Sequence, residues 1–187
     1  MKVLVTVLVV LLVGGLIVGG SAIGGYNKAI NLDTQVKQAW AQVENQLQRR
    51  FDLIPNLVET VKGYAAHEKE LFENIANART QYFQAKSPAD KVQAAGQVEG
   101  LLSRLLVLRE TYPELKANQN FMDLQAQLEG TENRIAVARR NYNEAVGSLN
   151  RYVRAFFGRM FSGWAGVKEA EFFKVEEAAK AAPEVKF

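Results

Sequence analysis

The stretch VKQAWAQVENQLQRRFDLIPNLVETV, residues 36–61, decides the fold. Apolar residues recur along it at intervals of three and four, which is the period of one face of an α-helix. The same spacing continues as far as Tyr82, and only Arg50 and Glu68 interrupt it. The full stripe consists of Val36, Trp40, Val43, Leu47, Ile54, Leu57, Val61, Tyr64, Leu71, Ile75, Ala78 and Tyr82. This pattern predicts long amphipathic helices that pack against one another through their apolar faces.

A proline interrupts this stretch at position 55. Proline removes one helical hydrogen bond and its ring clashes with the preceding turn. The residue before a proline also avoids the helical conformation. Two interpretations stay open: one long helix kinked near residues 51–55, or two helices separated by a turn there. Gly63 is a second candidate for a break.

Two further helices follow along the chain. Ser87 and Pro88 form a cap and a first helical position, and the helix that they begin extends to about Arg109. After a connection at 112–113, Asn118 can cap a last helix of about 39 residues, roughly 58 Å long. The sequence therefore predicts an all-α fold, an up-and-down antiparallel bundle of long helices with about four segments.

Upstream of the bundle lies the apolar run VLVTVLVVLLVGGLIVGGSAI, residues 3–23. About 21 helical residues span roughly 30 Å, the thickness of the hydrocarbon core of a bilayer. We expect a transmembrane helix. A cleaved signal peptide with a small-residue site at 20–22 is the alternative, although the run is longer than a usual signal core. The predicted domains are an anchor over 1–27, a bundle over 28–156 and an aromatic and acidic tail over 157–187.

Glycines within this run have a spacing that favours helix association. Gly15 with Gly19, and Gly20 with Gly24, are four residues apart, which lets two backbones approach closely in lipid. We expect these four to pack membrane helices together. Glycine is also simply common in membrane helices. Basic residues flank the run almost equally on both sides, so they do not orient it.

The long helices carry many polar side chains, and a set of charged residues is the candidate for interhelical or intersubunit contacts. The set is Arg49, Arg50, Asp52, Glu59, Arg134, Arg139 and Arg140. Our hypothesis pairs Asp52 and Glu59 with one of the last three arginines. A solvated helix face is the alternative interpretation.

Aromatic residues cluster where the last helix ends. The predicted membrane-interface or docking patch is Phe156, Phe157, Met160, Phe161 and Trp164. In an up-down-up-down bundle whose first helix leaves the membrane, the fourth returns to it, and aromatic residues are favoured at that interface. The alternative is a tail folded back on the bundle, with its aromatic rings in a groove.

Composition excludes several kinds of catalytic site. The chain has 187 residues, no cysteine and one histidine, with 23 Lys and Arg against 20 Asp and Glu. Disulfides, thiolate metal sites and multi-histidine metal sites are therefore out. The near balance of charge argues against a nucleic-acid partner.

The sequence also has no motif of the other common kinds of catalytic site. A di-iron bundle needs Glu-x-x-His units, whereas the residue three before His67 is Tyr64. No phosphate-binding loop is present in the sequence, and His67 lies in a polar stretch typical of a helix surface. We assign no catalytic, cofactor-binding or metal-binding residue, and we expect no enzyme and no cofactor.

Two strings point to a known family: WAQVENQLQRRFDLIPNLVETVKGYAAHE at 40–68 and YPELKANQNFMDLQAQLEGTENRIAVARRNYN at 112–143. With Tyr26-Asn27 and the ending Val185-Lys186-Phe187, they closely resemble the LemA family of bacterial proteins. The resemblance implies a single-pass N-terminal anchor, a helical bundle, and no established enzymatic activity or cofactor. A magnetosome membrane protein belongs to the family, which suggests a role in organising membrane or envelope.

These features together give two functional expectations. The first is a non-enzymatic scaffold, anchored by one helix in the bacterial inner membrane, that contacts lipid, forms homo-oligomers and organises the membrane or other envelope proteins. The alternative is a monomeric tethered module that docks a protein partner through the aromatic tail or the arginine-rich last helix.

Overall fold

The structure is a computed structural model that describes residues 2–173. Its helices are α1 Lys2–Lys62, α2 Lys69–Gln84, α3 Pro88–Thr111, α4 Pro113–Lys116, α5 Gln119–Arg154 and α6 Phe156–Trp164. No strand occurs in this part of the chain. The all-α fold is confirmed, and α1, α2, α3 and α5 are the predicted four long segments. The rest of the predicted tail, 174–187, with the family's C-terminal ending, lies outside the described residues.

The chain forms two compact units. Among the described residues, the first unit consists of 2–40 and 141–172, and the second consists of 41–140 with Phe173. Helices α1 and α5 each contribute to both units. The predicted boundary at 27/28 falls inside the continuous helix α1.

In the second unit, α2 runs antiparallel to α1. The rings of Phe51 and Tyr82 meet edge-on with centroids 4.3 Å apart, and Lys62 Nζ lies 5.8 Å from the ring centroid of Phe72. The end of α1 therefore faces the start of α2. The short turn between them begins at Gly63, as the sequence suggested.

The directions of α3 and α5 follow from ion pairs in the same unit. Lys91 near the start of α3 pairs with Glu44. Arg109 near the end of α3 donates to Gln125 Oε1 at 3.1 Å, close to the start of α5, and that start lies at the end of α1, so α3 runs parallel to α1. Arg50 pairs with Glu132, and Asn118 just before α5 donates a hydrogen bond of 2.9 Å to the Tyr64 hydroxyl. Helix α5 is therefore antiparallel to α1, and the unit has the up-down-up-down order expected from the sequence.

The core of this unit follows most of the predicted apolar stripe, but Phe51, Ala65 and Phe72 are buried in addition and Tyr64 is exposed. The α1 positions are Val43, Leu47, Phe51, Ile54, Leu57 and Val61, all buried. Arg50 interrupts the stripe that the sequence predicts. Phe51 restores the spacing, because it lies four residues after Leu47 and three before Ile54.

Pro55 lies within a single helix, which decides between the two interpretations of this segment. The backbone acceptor that a residue 55 N–H would have used is the carbonyl oxygen of Phe51. Arg79 Nε of α2 donates to that oxygen at 3.2 Å. A side chain of the neighbouring helix thus replaces the bond that the proline removes, and α1 continues to Lys62.

The predicted helix starts are confirmed. The Ser87 hydroxyl accepts the N–H of Asp90 at 3.1 Å, and Asn118 Oδ1 accepts the N–H of Phe121 at 3.0 Å. Each cap satisfies a donor that the first turn of a helix leaves without a partner.

In the first unit, α5 lies antiparallel to α1. The rings of Trp40 and Tyr142 have centroids 5.3 Å apart, while the Tyr152 hydroxyl donates to the carbonyl oxygen of Gly25 at 2.7 Å. Lys28 Nζ lies 5.3 Å from the Tyr152 ring centroid. The end of α5 is therefore level with Gly25, two residues after the apolar run of α1 ends.

Candidate functional site

Helix α6 follows a sharp turn at the end of α5. Ala155 is extended, with φ −66° and ψ 149°, so the last long helix, predicted to reach about residue 156, ends at Arg154. A Cβ on Gly158 would overlap the carbonyl oxygen of Tyr152. Glycine at 158 therefore allows α6 to pack closely against the end of α5.

One side of α6 packs on α1 at Gly25. A Cβ built on Gly25 would overlap the Phe161 ring, which shows how closely the two elements approach. Phe161 is buried at this contact, and its ring centroid lies 5.7 Å from that of the exposed Trp164. Phe161, predicted as part of an exposed patch, is therefore an internal contact.

The other side of α6 is an exposed apolar surface. It consists of Phe156, Phe157, Met160 and Trp164, and we call it the α6 face. Phe156 is 86% exposed and Trp164 is 62% exposed. Because Phe156, Met160 and Trp164 are four residues apart, they share one side of the helix. Four of the five predicted patch residues thus form one continuous surface.

The segment after α6, residues 165–172, returns along α5. Gly166 has φ +67°, and hydrogen bonds from Gly166 N–H to the Gly163 carbonyl (3.3 Å) and from Val167 N–H to the Ser162 carbonyl (2.9 Å) form a Schellman motif. Glycine is favoured in this left-handed conformation. The return segment therefore begins at a defined helix stop.

Side chains of α5 bind the return segment. Asn150 donates to the carbonyl of Ala170 at 2.8 Å and accepts its N–H at 2.9 Å, and the Tyr142 hydroxyl donates to the Glu171 carbonyl at 2.9 Å. Asn150 is one of the few buried polar side chains, and here it is fully paired. The return segment therefore folds back on α5, while the α6 face stays exposed. Contact of that face with membrane or with a partner stays a prediction.

An ion pair joins the end of α5 to the return segment. Arg154 donates from Nε at 3.1 Å and from Nη2 at 2.6 Å to one carboxylate oxygen of Glu169. These hydrogen bonds, with the charges of Arg154 and Arg159, hold the pKa of Glu169 below its ordinary value. The same contact raises the pKa of Arg154.

The apolar start of α1 is exposed except at Gly14 and Ala22, which are half-buried. One helix in the described part of the chain, α1, is long and apolar enough to cross a membrane, with an 18-residue window of mean hydropathy 2.8 and none of it buried. Space for a Cβ is open at Gly15, Gly19, Gly20 and Gly24. Gly25 differs from these four because Phe161 occupies that space.

The predicted polar contact residues fall into two groups. Arg50 joins α1 to α5 through Glu132, and Arg139 joins α5 to α3 through Glu99, with Nη2 to carboxylate oxygen at 3.5 Å. Arg49, Arg134 and Arg140 are exposed. The first two arginines therefore link helices within the chain.

The specific pairing proposed for the acids is not formed within the described chain. Asp52 lies 4.0 Å from Arg79, and Glu59 lies 3.9 Å from Lys62 on the same helix. Asp52 is on the side of α1 that faces α2, and the Glu59 side chain is 81% exposed, so neither approaches α5. A pairing with arginines of another subunit stays a prediction.

Metal ligands do not cluster in the described residues, where no group of three His, Asp or Glu side chains could hold an ion. His67 is exposed in the turn between α1 and α2.

Three residues with structural contacts were not predicted from the sequence: Gly25, Asn150 and Tyr152. Gly158 and Gly166 gave a recognisable signal, because glycine next to a helix end often marks a close approach or a cap.

A model of the LemA family matches residues 39–187. The chain belongs to the LemA family. A comparison with curated proteins gave no match. The matched range of this LemA-family chain includes the α6 face and the return segment, but not the apolar run or Gly25. The glycine that contacts Phe161 therefore lies outside the family match.

Proposed function

We propose that this LemA-family protein is a non-enzymatic scaffold held by one α-helix in the bacterial cytoplasmic membrane. It self-associates through the glycine-rich start of α1 and organises the membrane or other envelope proteins. The observation that carries the proposal is the apolar run, none of which is buried, with its open glycine positions.

Two features of the run support this proposal: its apolar surface suits lipid, and its glycines suit close packing of helices. An exposed apolar helix of this length has the length and composition that a hydrocarbon environment favours. Within it, small residues four apart let a second backbone approach, which gains van der Waals contact. The open positions at Gly15, Gly19, Gly20 and Gly24 are what a second copy of the helix requires.

The first test is the particle mass of the full-length protein in nanodiscs, alone and with Gly15→Leu and Gly19→Leu together. We expect a defined oligomer for the unchanged protein and a smaller particle for the variant, since leucine separates the backbones. Gly14→Leu is the matched control, because Gly14 is an equally open glycine of the same turn that belongs to neither pair. An unchanged mass in the double variant would remove the Gly15/Gly19 pair from the proposal.

A fragment of residues 24–187, which lacks the apolar run, separates two versions of the scaffold. If only the full-length protein is oligomeric, the membrane helix drives assembly. If the fragment assembles equally well, the polar bundle faces carry the contacts. If both are monomers, the scaffold proposal fails.

The exposed aromatic side of α6 favours a second candidate function, a monomeric tethered module. In that case a protein partner binds through α6 or through the arginine-rich part of α5. This alternative predicts a monomer in nanodiscs and a partner that is lost when residues 156–187 are deleted.

A further inference from the structure

We propose that the α6 face inserts into the lipid–water interface beside the membrane span, so that the chain contacts the bilayer at two places. The occupant of this surface is lipid. The inference rests on the proposed membrane anchoring by α1, and it is independent of self-association.

The level of α6 relative to the span is fixed within the first unit. The apolar run ends at Ile23, and Gly25 lies only about 3 Å further along the helix axis. Phe161 packs directly on Gly25, while the Tyr152 hydroxyl bonds the Gly25 carbonyl from the end of α5. A bilayer that contains residues 3–23 therefore has its headgroup region at the level of α6.

The side chains at this level are those that favour the interface. Tryptophan and tyrosine concentrate at the headgroup boundary, and interfacial helices combine aromatic residues with basic ones. Trp164 lies in the α6 face, and Tyr26 is exposed one residue after Gly25. Lys28 and the exposed Arg159 add positive charge beside them, which suits lipid phosphates.

Proximity favours lipid over a protein as the occupant. Because α6 is held against the span, lipid is present at very high effective concentration as soon as the span is inserted. A protein partner has to reach the same surface by diffusion and displace that lipid. An exposed aromatic surface of this kind away from a membrane is a liability for aggregation.

The test uses the fluorescence of Trp164 in full-length protein carrying Trp40→Phe, which makes Trp164 the sole tryptophan. The protein is reconstituted in bilayers of lipids brominated near the headgroup end of their acyl chains. We expect the brominated lipid to quench the fluorescence of Trp164 and the unbrominated lipid to leave it unchanged. We also expect the bilayer to protect Trp164 from quenching by acrylamide dissolved in the water.

Three controls make the result specific. Trp164→Phe leaves Trp40, about 22 Å along α1 from Gly25, and we expect no quenching by brominated lipid. Phe156→Ser with Phe157→Ser in the Trp40→Phe protein should reduce the quenching of Trp164. Val107→Ser, which changes an exposed apolar residue of α3, should not.

A further variant separates failure of this inference from failure of the anchoring. Leu12→Trp, with both natural tryptophans changed to phenylalanine, places the only indole in the middle of the apolar run. Its fluorescence should be quenched by lipids brominated deep in the acyl chains.

The combined outcomes are distinct. If the Leu12→Trp protein is quenched and Trp164 is accessible to acrylamide only, the α6 inference is wrong and the anchor stands. If Trp164 is protected from both quenchers, protein covers the α6 face and the lipid proposal is overturned. If the Leu12→Trp protein is not quenched, the membrane anchoring itself fails, and the α6 inference with it.

Discussion

The exposed ion pair between Arg154 and Glu169 joins the end of α5 to the return segment. The carboxylate accepts two donors from one guanidinium, a charge-assisted arrangement. Both side chains are largely exposed, so the contribution to folding stability is small and screened by salt. Its clearest signature is the protonation of Glu169.

We expect the side-chain carboxyl of Glu169 to titrate below the ordinary glutamate pKa. The pKa is lowered in the folded state, so the stabilisation is present above the unfolded-state pKa and is lost as pH falls through the lowered value. Carboxyl carbon chemical shifts measured by NMR against pH report the midpoint. Arg154→Gln should move it up towards the ordinary value, whereas Arg151→Gln should leave it unchanged. An identical midpoint in the Arg154 variant would contradict the contact.

At the residue scale, hydrogen bonds between near neighbours in the chain could be predicted from the sequence, and those between distant residues could not. The caps at Ser87 and Asn118 bond backbone three residues away, so the local sequence contains both partners. Asn150 bonds a residue 20 positions away, and Tyr152 bonds one 127 positions away. No pattern in a single sequence indicates which backbone groups such side chains will reach.

At the scale of elements, α1 and α2 are coupled where Arg79 compensates for Pro55. Arg79→Ala should leave the Phe51 carbonyl without its donor and lower the free energy of unfolding by about 1–3 kcal/mol. In a Pro55→Ala background the same change should cost less, because residue 55 then donates to that carbonyl itself. The four proteins are the unchanged chain, the two single variants and the double variant. Their urea unfolding, followed by circular dichroism, gives the coupling free energy between positions 55 and 79.

The matched control is Arg104→Ala, an exposed arginine of α3. Its effect should add to that of Pro55→Ala within about 0.5 kcal/mol, as for independent sites. The Arg79 cycle should not be additive. Additivity in both cycles would show that the hydrogen bond from Arg79 does not replace the one removed by proline.

Packing of α6 depends on the absence of a side chain at one position of α1. Gly25→Ala should displace the Phe161 ring and shift the emission of Trp164, whose ring is in contact with it. Gly24→Ala is the control, because a Cβ there has open space. Both changes raise helix propensity equally, so a difference between them reports the contact. Equal emission spectra would argue that Phe161 does not need Gly25.

Helical periodicity gave the long elements, since an apolar stripe must face a partner along its whole length. It failed at the end of α5, where the three-four spacing continues to Phe156 but the backbone turns at Ala155. Periodicity records only which positions are apolar. It does not record that the apolar side chains of α6 lie on an exposed surface beyond the turn.

At the scale of the whole molecule, the proposed membrane anchoring by α1 predicts on which side of the membrane each end of the apolar run lies. Single cysteines introduced as Lys2→Cys or Lys168→Cys should react with a membrane-impermeant maleimide from opposite sides, since one precedes the span and the other lies in the return segment. The native chain contributes no background thiol. Labelling of spheroplasts before and after lysis identifies the side of each. Reaction of both from one side would show that α1 does not cross.

Fold class and helix order were predictable from the sequence because both follow from apolar spacing and caps. The two compact units were not, because α1 and α5 pass through both without a break in their pattern. The predicted domain limits at 27 and 156 were drawn from changes in composition. Those changes stand at the end of the apolar run and at the end of the last long helix, and the predicted domains stay a prediction.

The contact between Gly25 and Phe161 also decides how a soluble form of this protein should be cut. A fragment that starts at Lys28 loses the carbonyl that Tyr152 binds and the backbone that covers Phe161, so it presents an aromatic surface that the intact chain keeps internal. If such a fragment forms oligomers in size-exclusion chromatography, the cause would then be the aromatic surface that the truncation exposes. Starting at Gly24 keeps both partners, and only that fragment reports the association behaviour of the native bundle.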